Sequence, residues 1–325
     1  MIFFDLKNKW KINKSKLDIP KKKKLQLPTV IFLAMLVISP FFLANSQSTS
    51  GKGIIFSRNN LSAWCIVPYD VKKRGPEERA RMLARLGITK FAYDWREEHV
   101  PGFDQEMDAL KKHHIVLQAF WMPYGPDILN NKHYLKILAL LKRHNIKTQL
   151  WWSYGSTEDG LKNMTQQEKV IAVSNTVKVL AEDAAKIGCT VGLYNHNGWF
   201  GEPENQLAII DYVKMPNVGI VYNFNHAEAQ VDRFPVFFPK ILPHLIALNI
   251  AGLKNGNPGK VVPVAHGDSE EEMIRIVGES GYRGIIGIIN EDTDPDAEAG
   301  LKLNIEGLKI ILKSLGYSAV LQTYY

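Results

Sequence analysis

The chain has 325 residues, 46% hydrophobic and 22% charged; this suits one large barrel and excludes disorder, collagen and coiled coil as its main state. Its net charge of +7 suggests a nucleic-acid binder until the charge is located. Residues 1–29 hold nine lysines against Asp5 and Asp18, so they account for all of it and residues 30–325 are neutral. The body therefore gives no warrant for a basic binding face.

Lys21, Lys22, Lys23 and Lys24 precede the apolar run Val30–Ile38, which is interrupted at Ser39-Pro40 and resumes at Phe41-Phe42-Leu43. A basic segment followed by an apolar stretch too short for a comfortable membrane span reads as an export signal over residues 1–46. Its basic part is 1–28 and its apolar part 29–44. Small residues at Ala44 and Ser46 place cleavage near Ser46. The mature chain is thus expected to be periplasmic or secreted, with no stable membrane association. The alternative is an uncleaved N-terminal anchor with its positive end in the cytoplasm. The basic part is unusually long, which leaves the true start methionine open. Cys65 and Cys189 are expected as two buried thiols on opposite sides of the fold, not as a disulfide.

From residue 63 onward, short apolar runs rich in β-branched and aromatic residues alternate with amphipathic stretches. The runs are Ala63–Val67, Ile88–Tyr93, Ile115–Trp121, Ile146–Trp152, Thr190–Tyr194, Val218–Phe224, Leu245–Ile250 and Gly284–Ile289. Helical patterns follow them at 76–86, 103–113, 131–144, 165–187, 204–214, 234–244, 269–280 and 296–315. Leu86-Gly87, Ile187-Gly188 and Ser280-Gly281 carry the glycine that commonly ends a helix. Strands joined by crossover helices imply a parallel sheet. Eight such units imply one closed α/β barrel, (β/α)8, over residues 54–316. No glycine-rich phosphate loop follows the first run, which argues against an open dinucleotide-binding sheet.

In such a barrel chemistry sits at the C-terminal ends of the strands. Those ends carry Asp94 with Glu97 and Glu98, Trp121, Asn195-His196, Trp199 and Glu202, Asn223 with His226, Asn249, Lys254, His266 and Asp268, and Asn290. Flat aromatic faces beside amides and a few titratable groups suit a polyhydroxylated ligand, since sugar C–H faces lie on rings and hydroxyls bond amides. The bland alternative is that the aromatics fill barrel layers. Side chains alternate along a strand, so one of Trp151 and Trp152 points inward and the other outward. Glu97 and Glu98 beside Arg96 also read as a solvated ion-pair cluster. Glu202, just ahead of a helix, also reads as a charge favouring that helix's positive end.

The segments Val191–His196, Val218–His226, Leu245–Asn249, Val262–Asp268 and Gly281–Asn290 resemble the xylose isomerase-like barrels, the sugar phosphate isomerase/epimerase superfamily that also contains a class of apurinic endonucleases. The resemblance covers most of residues 54–315 and is clearest from 190 onward. It implies a divalent metal on the acids and histidine that end strands 5 to 8, and proton transfer between adjacent sugar carbons. Here Asn195, Asn223, Asn249 and Asn290 stand at the positions aligned with those ligands, while His226 matches a family histidine. An amide carries no charge to hold Mn²⁺, Mg²⁺ or Zn²⁺ and accepts no proton as a base. One way to restore a ligand is a shifted register that brings in Glu291 or Asp292, which needs a bulge. A divalent metal therefore stays open as a cofactor.

Proton work then falls to other groups: His226 first, then His196, His266 and Glu202. Asn195, Asn223, Asn249, Asn290, Trp121, Trp199, Asp94 and Lys254 are expected to bind substrate. Two readings follow. One is an exported isomerase or epimerase, with a keto-sugar lyase as a variant, acting beside a sugar carbonyl. The other is a barrel that kept the pocket, lost catalysis and binds carbohydrate as an accessory protein. The endonuclease branch ranks third because the body is neutral. The sugar and the oligomeric state stay open.

Overall fold

The computed structural model describes residues 51–254, 261–291 and 296–325. The export signal expected over residues 1–46 and Asp292 lie outside the described residues. Eight parallel strands close a barrel: β1 (Leu61–Trp64), β2 (Lys90–Tyr93), β3 (Val116–Trp121), β4 (Gln149–Trp152), β5 (Thr190–Tyr194), β6 (Val218–Asn223), β7 (Leu245–Ile250) and β10 (Ile285–Ile289). The ring closes where β1 pairs with β10, Trp64 opposite Ile289. A two-stranded antiparallel ribbon, β8 (Gly252–Leu253) with β9 (Val261–Val262), stands apart from the ring. Among the described residues no helix is long and apolar enough to cross a membrane.

Helices follow the strands: α1 (Pro76–Arg85), α2 (Phe103–Lys112), α3 (Tyr134–Arg143), α4 (Gln166–Lys186), α5 (Gly198–Gly201), α6 (Pro203–Val213), α7 (Phe234–Ile241), α8 (Glu270–Glu279), α9 (Ala297–Ser314) and α10 (Ser318–Leu321); all but the short α5 and α10 match the sequence pattern. Pro76 fits the first turn of α1 because its missing N–H has no partner to lose there. Thr165 caps α4 by accepting from Glu168 N–H, and Glu168 reaches back to Thr165 N–H at 2.7 Å. Gly87 and Gly188 leave their helices at φ 66° and 72°, a left-handed turn that a side chain disfavours.

The first strand differs from its sequence reading. It ends at Trp64, three residues before Val67, because Cys65 takes φ 56° and breaks the extended chain. Cys65 and Cys189 are free buried thiols near β1 and β5, which lie four strands apart in the ring.

Alternation along the strands sets what fills the barrel. Trp64, Ala92, Ala119, Trp151, Tyr194, Val221, Ala247 and Ile289 pack together inside it. Trp152 faces the helices instead and donates its indole N–H to Gly125 O at 3.2 Å. Alanines and Gly192 make room for the indoles: a Cβ on Gly192 would lie 2.8 Å from Trp151 Cδ1. Three bulky rings and several minimal side chains therefore share one close-packed layer.

Candidate active site at the barrel mouth

A cavity of about 490 Å³ opens at the C-terminal ends of the strands. Its floor is aromatic: Trp64, Trp121 and Tyr194, with ring centroids 4.9–6.0 Å apart. Tyr124, Trp95 and Tyr69 stand on its sides.

One wall comes from β5 and β6. His196, just after β5, and His226, after β6, bring their rings to 4.3 Å between centroids at 48°. Both rings also pack against Tyr194, His226 at 5.9 Å and His196 at 6.4 Å. Burial favours the neutral imidazole in each. It pulls His226 down to about 3, helped by charge repulsion from His196. His196 is lowered mainly by burial, and its Nδ1 has no hydrogen-bond partner.

The opposite wall comes from β2. The ring order puts β2 four strands from β6 in either direction. Asp94 follows β2, is 2% exposed, and neither carboxylate oxygen meets a hydrogen-bond partner. Burial raises its pKa to about 7. The Arg96 charge opposes that rise first, followed by its own backbone N–H, Arg79 and the Val67 N–H; the two N–H approaches fall short of hydrogen-bond geometry. Arg96 donates Nη1–H to the carbonyls of Asp94 and Trp95, and its guanidinium lies 5.9 Å from the Tyr69 ring centre. Tyr69 donates to Glu291 at 2.7 Å. Glu97, at the cavity edge, pairs with Lys132 at 2.6 Å and His133 at 2.8 Å, not with Arg96.

The four amides are completely buried and lie outside the cavity lining. Asn195 clasps β6: its Oδ1 accepts from Asn223 N–H at 2.7 Å and its Nδ2 donates to Asn223 O at 3.1 Å. Asn223 accepts from Asn225 N–H at 3.0 Å and donates Nδ2–H to the Tyr194 hydroxyl. Asn249 points its Oδ1 toward Gly287, where a Cβ would come within 1.9 Å, and neither end of its amide meets a partner. The Asn290 backbone N–H donates to Trp64 O at 3.2 Å.

A divalent metal does not fit these positions. Two of the amides are committed to backbone and hydroxyl bonds, and none brings a charge. Among the described residues no cluster of three His, Cys, Asp or Glu side chains is arranged to hold an ion. Glu291 does line the cavity, but its carboxylate accepts from Tyr69 and Asn225.

Of the residues read from sequence, the structure brings His226, His196, Trp121 and Asp94 to this cavity. It places four others elsewhere. Glu202 accepts from Arg233 at 2.5 Å and from Gln230 at 3.2 Å on the outer side of the barrel. Trp199 donates its indole N–H to Gln166 on α4 at 2.7 Å and lies under Lys169. Lys254 pairs with Asp268 at 2.8 Å in an exposed contact beside the β8–β9 ribbon. His266 is exposed in the loop after β9. Loops of these lengths carry strand-end residues outward as readily as inward, and nothing in their residue types says which. Trp64, Tyr69, Arg96, Tyr124 and Tyr194 form much of the cavity without having been singled out. Parity would have found Tyr194: counted along β5, it is the inward neighbour of Asn195.

The fold is a (β/α)8 barrel with a cavity at the C-terminal rim of its strands. A family model for the xylose isomerase-like TIM barrel matches residues 83–311, and the chain belongs to that family. Among similar solved structures is a probable 3-DHS dehydratase from Bacillus anthracis, 17% identical with a TM-score of 0.58, covering 77% of this chain and 98% of that one. The 3-keto-D-glucoside 4-epimerase of E. coli is 14% identical with a TM-score of 0.56, covering 78% and 99%. The IOLI protein, solved with a bound zinc atom, is 13% identical with a TM-score of 0.61, covering 79% and 99%. Identities this low show the shared fold. No protein of curated function matches the chain.

Proposed function

We propose that the chain is an exported enzyme that moves a proton at a carbon beside the carbonyl of a sugar or keto-sugar, as an isomerase or epimerase does. One observation carries the reading. Titratable groups whose charged forms burial disfavours, Asp94 and the His196–His226 pair, face one aromatic-floored cavity from opposite walls. A substrate lying on Trp64 and Trp121 would then have an acid–base group on each face. One group takes the proton from carbon, the electron pair moves onto the carbonyl oxygen, and the other returns a proton to the opposite face. That sequence inverts the carbon, so the two-walled arrangement favours epimerisation over isomerisation from one side. Asp94, with a pKa near neutrality, is able both to accept and to give a proton. Support from relatives is of the same kind: one structural neighbour is a sugar epimerase by name.

The test is deuterium exchange. The mature protein is incubated in D2O with a panel of aldoses, ketoses and 3-keto-glycosides, and the carbon beside each carbonyl is followed by NMR. Deuterium entering that carbon, with the inverted sugar appearing, is the expected result. Binding of panel sugars with no exchange in any would sink the enzyme reading and favour the carbohydrate-binding accessory protein. Export is tested separately: the mature N-terminus is expected near residue 47, and an intact Met1 in the membrane fraction would make the leader an anchor.

A further inference from the structure

We propose that Tyr194 is the electrophile of this site: its O–H, fixed by Trp64 and Asn223, donates to the substrate oxygen on which negative charge collects. This rests on the proton-transfer reading above and gives it a means of stabilising the intermediate without a cation.

The argument is one of hydrogen-bond capacity. Trp64 Nε1–H donates to the Tyr194 oxygen at 3.0 Å, and an indole nitrogen can only donate. The Asn223 amide faces the same oxygen. Which end of that amide faces it is settled next door: Asn225 N–H donates to Asn223 Oδ1 at 3.0 Å, so Nδ2 is the end turned to Tyr194. Swapping the ends would set two N–H groups against each other. The Tyr194 oxygen is therefore a double acceptor, with both lone pairs occupied. Its own hydrogen remains, and no acceptor among the described residues receives it. Tyr194 is 2% exposed and lines the cavity, so its hydroxyl keeps one donor for a group that enters it.

The chemistry suits an oxyanion. Two donated bonds polarise the phenol and strengthen its remaining O–H as a donor. Burial, then the nearby Cys65 and Glu291 groups, hold the phenol well above its ordinary ionisation range, so it keeps its proton. A donor that stays protonated, is pinned in place and sits in a dry site costs little reorganisation when charge develops. Asn223 then acts as a positioning residue, holding Tyr194 instead of touching substrate. That explains why a buried amide at the end of β6 is committed to its neighbours.

The experiment uses a charge-mimicking probe, so that it does not depend on turnover. Threonohydroxamate, which imitates an enediolate, and threitol, a neutral polyol of similar size, are titrated against the mature protein, following the fluorescence of Trp64 and Trp121. Losing a donor to a charged oxygen weakens binding about 10- to 100-fold. Tyr194→Phe is expected to lose that much affinity for the hydroxamate and less than about threefold for threitol. Site-specific 3-fluorotyrosine at 194 keeps the shape, sharpens the acidity and should tighten the hydroxamate. Equal hydroxamate affinity in wild type and Tyr194→Phe overturns the assignment, as does a wild type that does not prefer hydroxamate to threitol. If Tyr194→Phe does not fold, the fluorinated protein decides alone, and unchanged hydroxamate affinity overturns the assignment. A donor effect here with no deuterium exchange would sink the proton-transfer reading and leave the Tyr194 site standing; exchange with no donor effect does the reverse.

Discussion

The two walls of the cavity carry opposite chemistry perturbed by one cause. On the β2 side burial lifts a carboxyl to about 7; on the β5–β6 side it drops an imidazole to about 3. Both shifts disfavour charge, so each group spends much of the neutral range uncharged. The difference lies in what each can do from there. Asp94 sits near its midpoint and can pass a proton either way. His226 is a neutral imidazole at neutral pH, with one ring nitrogen as an acceptor and the other as an N–H donor. The lesson is that a site with acid and base on facing walls can be built without a buried net charge.

The largest effect expected is on turnover. If His226 is one of two acid–base groups, His226→Ala lowers kcat about 10²- to 10⁴-fold while sugar binding persists. Asp94→Asn should cost as much and also remove the inflection near pH 7 from the rate profile. Loss with one variant and not the other would break the symmetry and leave a one-sided mechanism.

Stability against pH sharpens the same comparison. Asp94 is raised in the folded state, so its contribution is full below about 4 and is lost as pH rises to about 7. His226 is lowered, so its contribution is full above about 6.5 and is lost as pH falls toward 3. Between about pH 4 and 6.5 the two slopes oppose and largely cancel. Asp94→Asn should expose the histidine slope, about 1.4 kcal/mol of stability lost per pH unit on acidification from His226, with a further loss of the same sign from His196. Urea unfolding at pH 4, 5 and 6 reads it directly, and a variant as flat as wild type would show that the two groups are not perturbed in opposite senses.

The smallest effect is expected away from both walls. Glu202→Gln breaks a half-exposed ion pair with Arg233, with a stability change under about 1 kcal/mol by thermal unfolding and no change in kcat. A large loss of activity there would mean that the working site extends beyond the two walls.

Much of the architecture was legible in the sequence because it rests on local rules. Short apolar runs rich in β-branched and aromatic residues, amphipathic helices and helix-ending glycines place the strands within a few residues. The exception, β1, turns on Cys65 adopting a left-handed backbone that its residue type does not announce. The site was less legible. Strand ends identified His196, His226, Trp121 and Asp94 as rim residues, but reading the amides as cavity groups overlooked that Asn195 and Asn223 bond to neighbouring strand ends. Those partners depend on inter-strand register, which no single segment encodes. Arg96 and Tyr69 come together only through tertiary contact between loops.

The packing of Trp64 against Trp151 has an optical consequence. Their rings meet edge-on, 5.0 Å apart at 75°, close enough for their excited states to mix. Trp64 belongs to the strand that closes the ring onto β10, whereas Trp151 lies on β4, across the interior. β1 reaches β4 through β2 and β3, so the two transitions couple once this half of the barrel has curled around the interior. Their paired signal in near-ultraviolet circular dichroism should therefore appear behind the helical signal in refolding, and so time the packing of the β1–β4 half of the barrel without any added label.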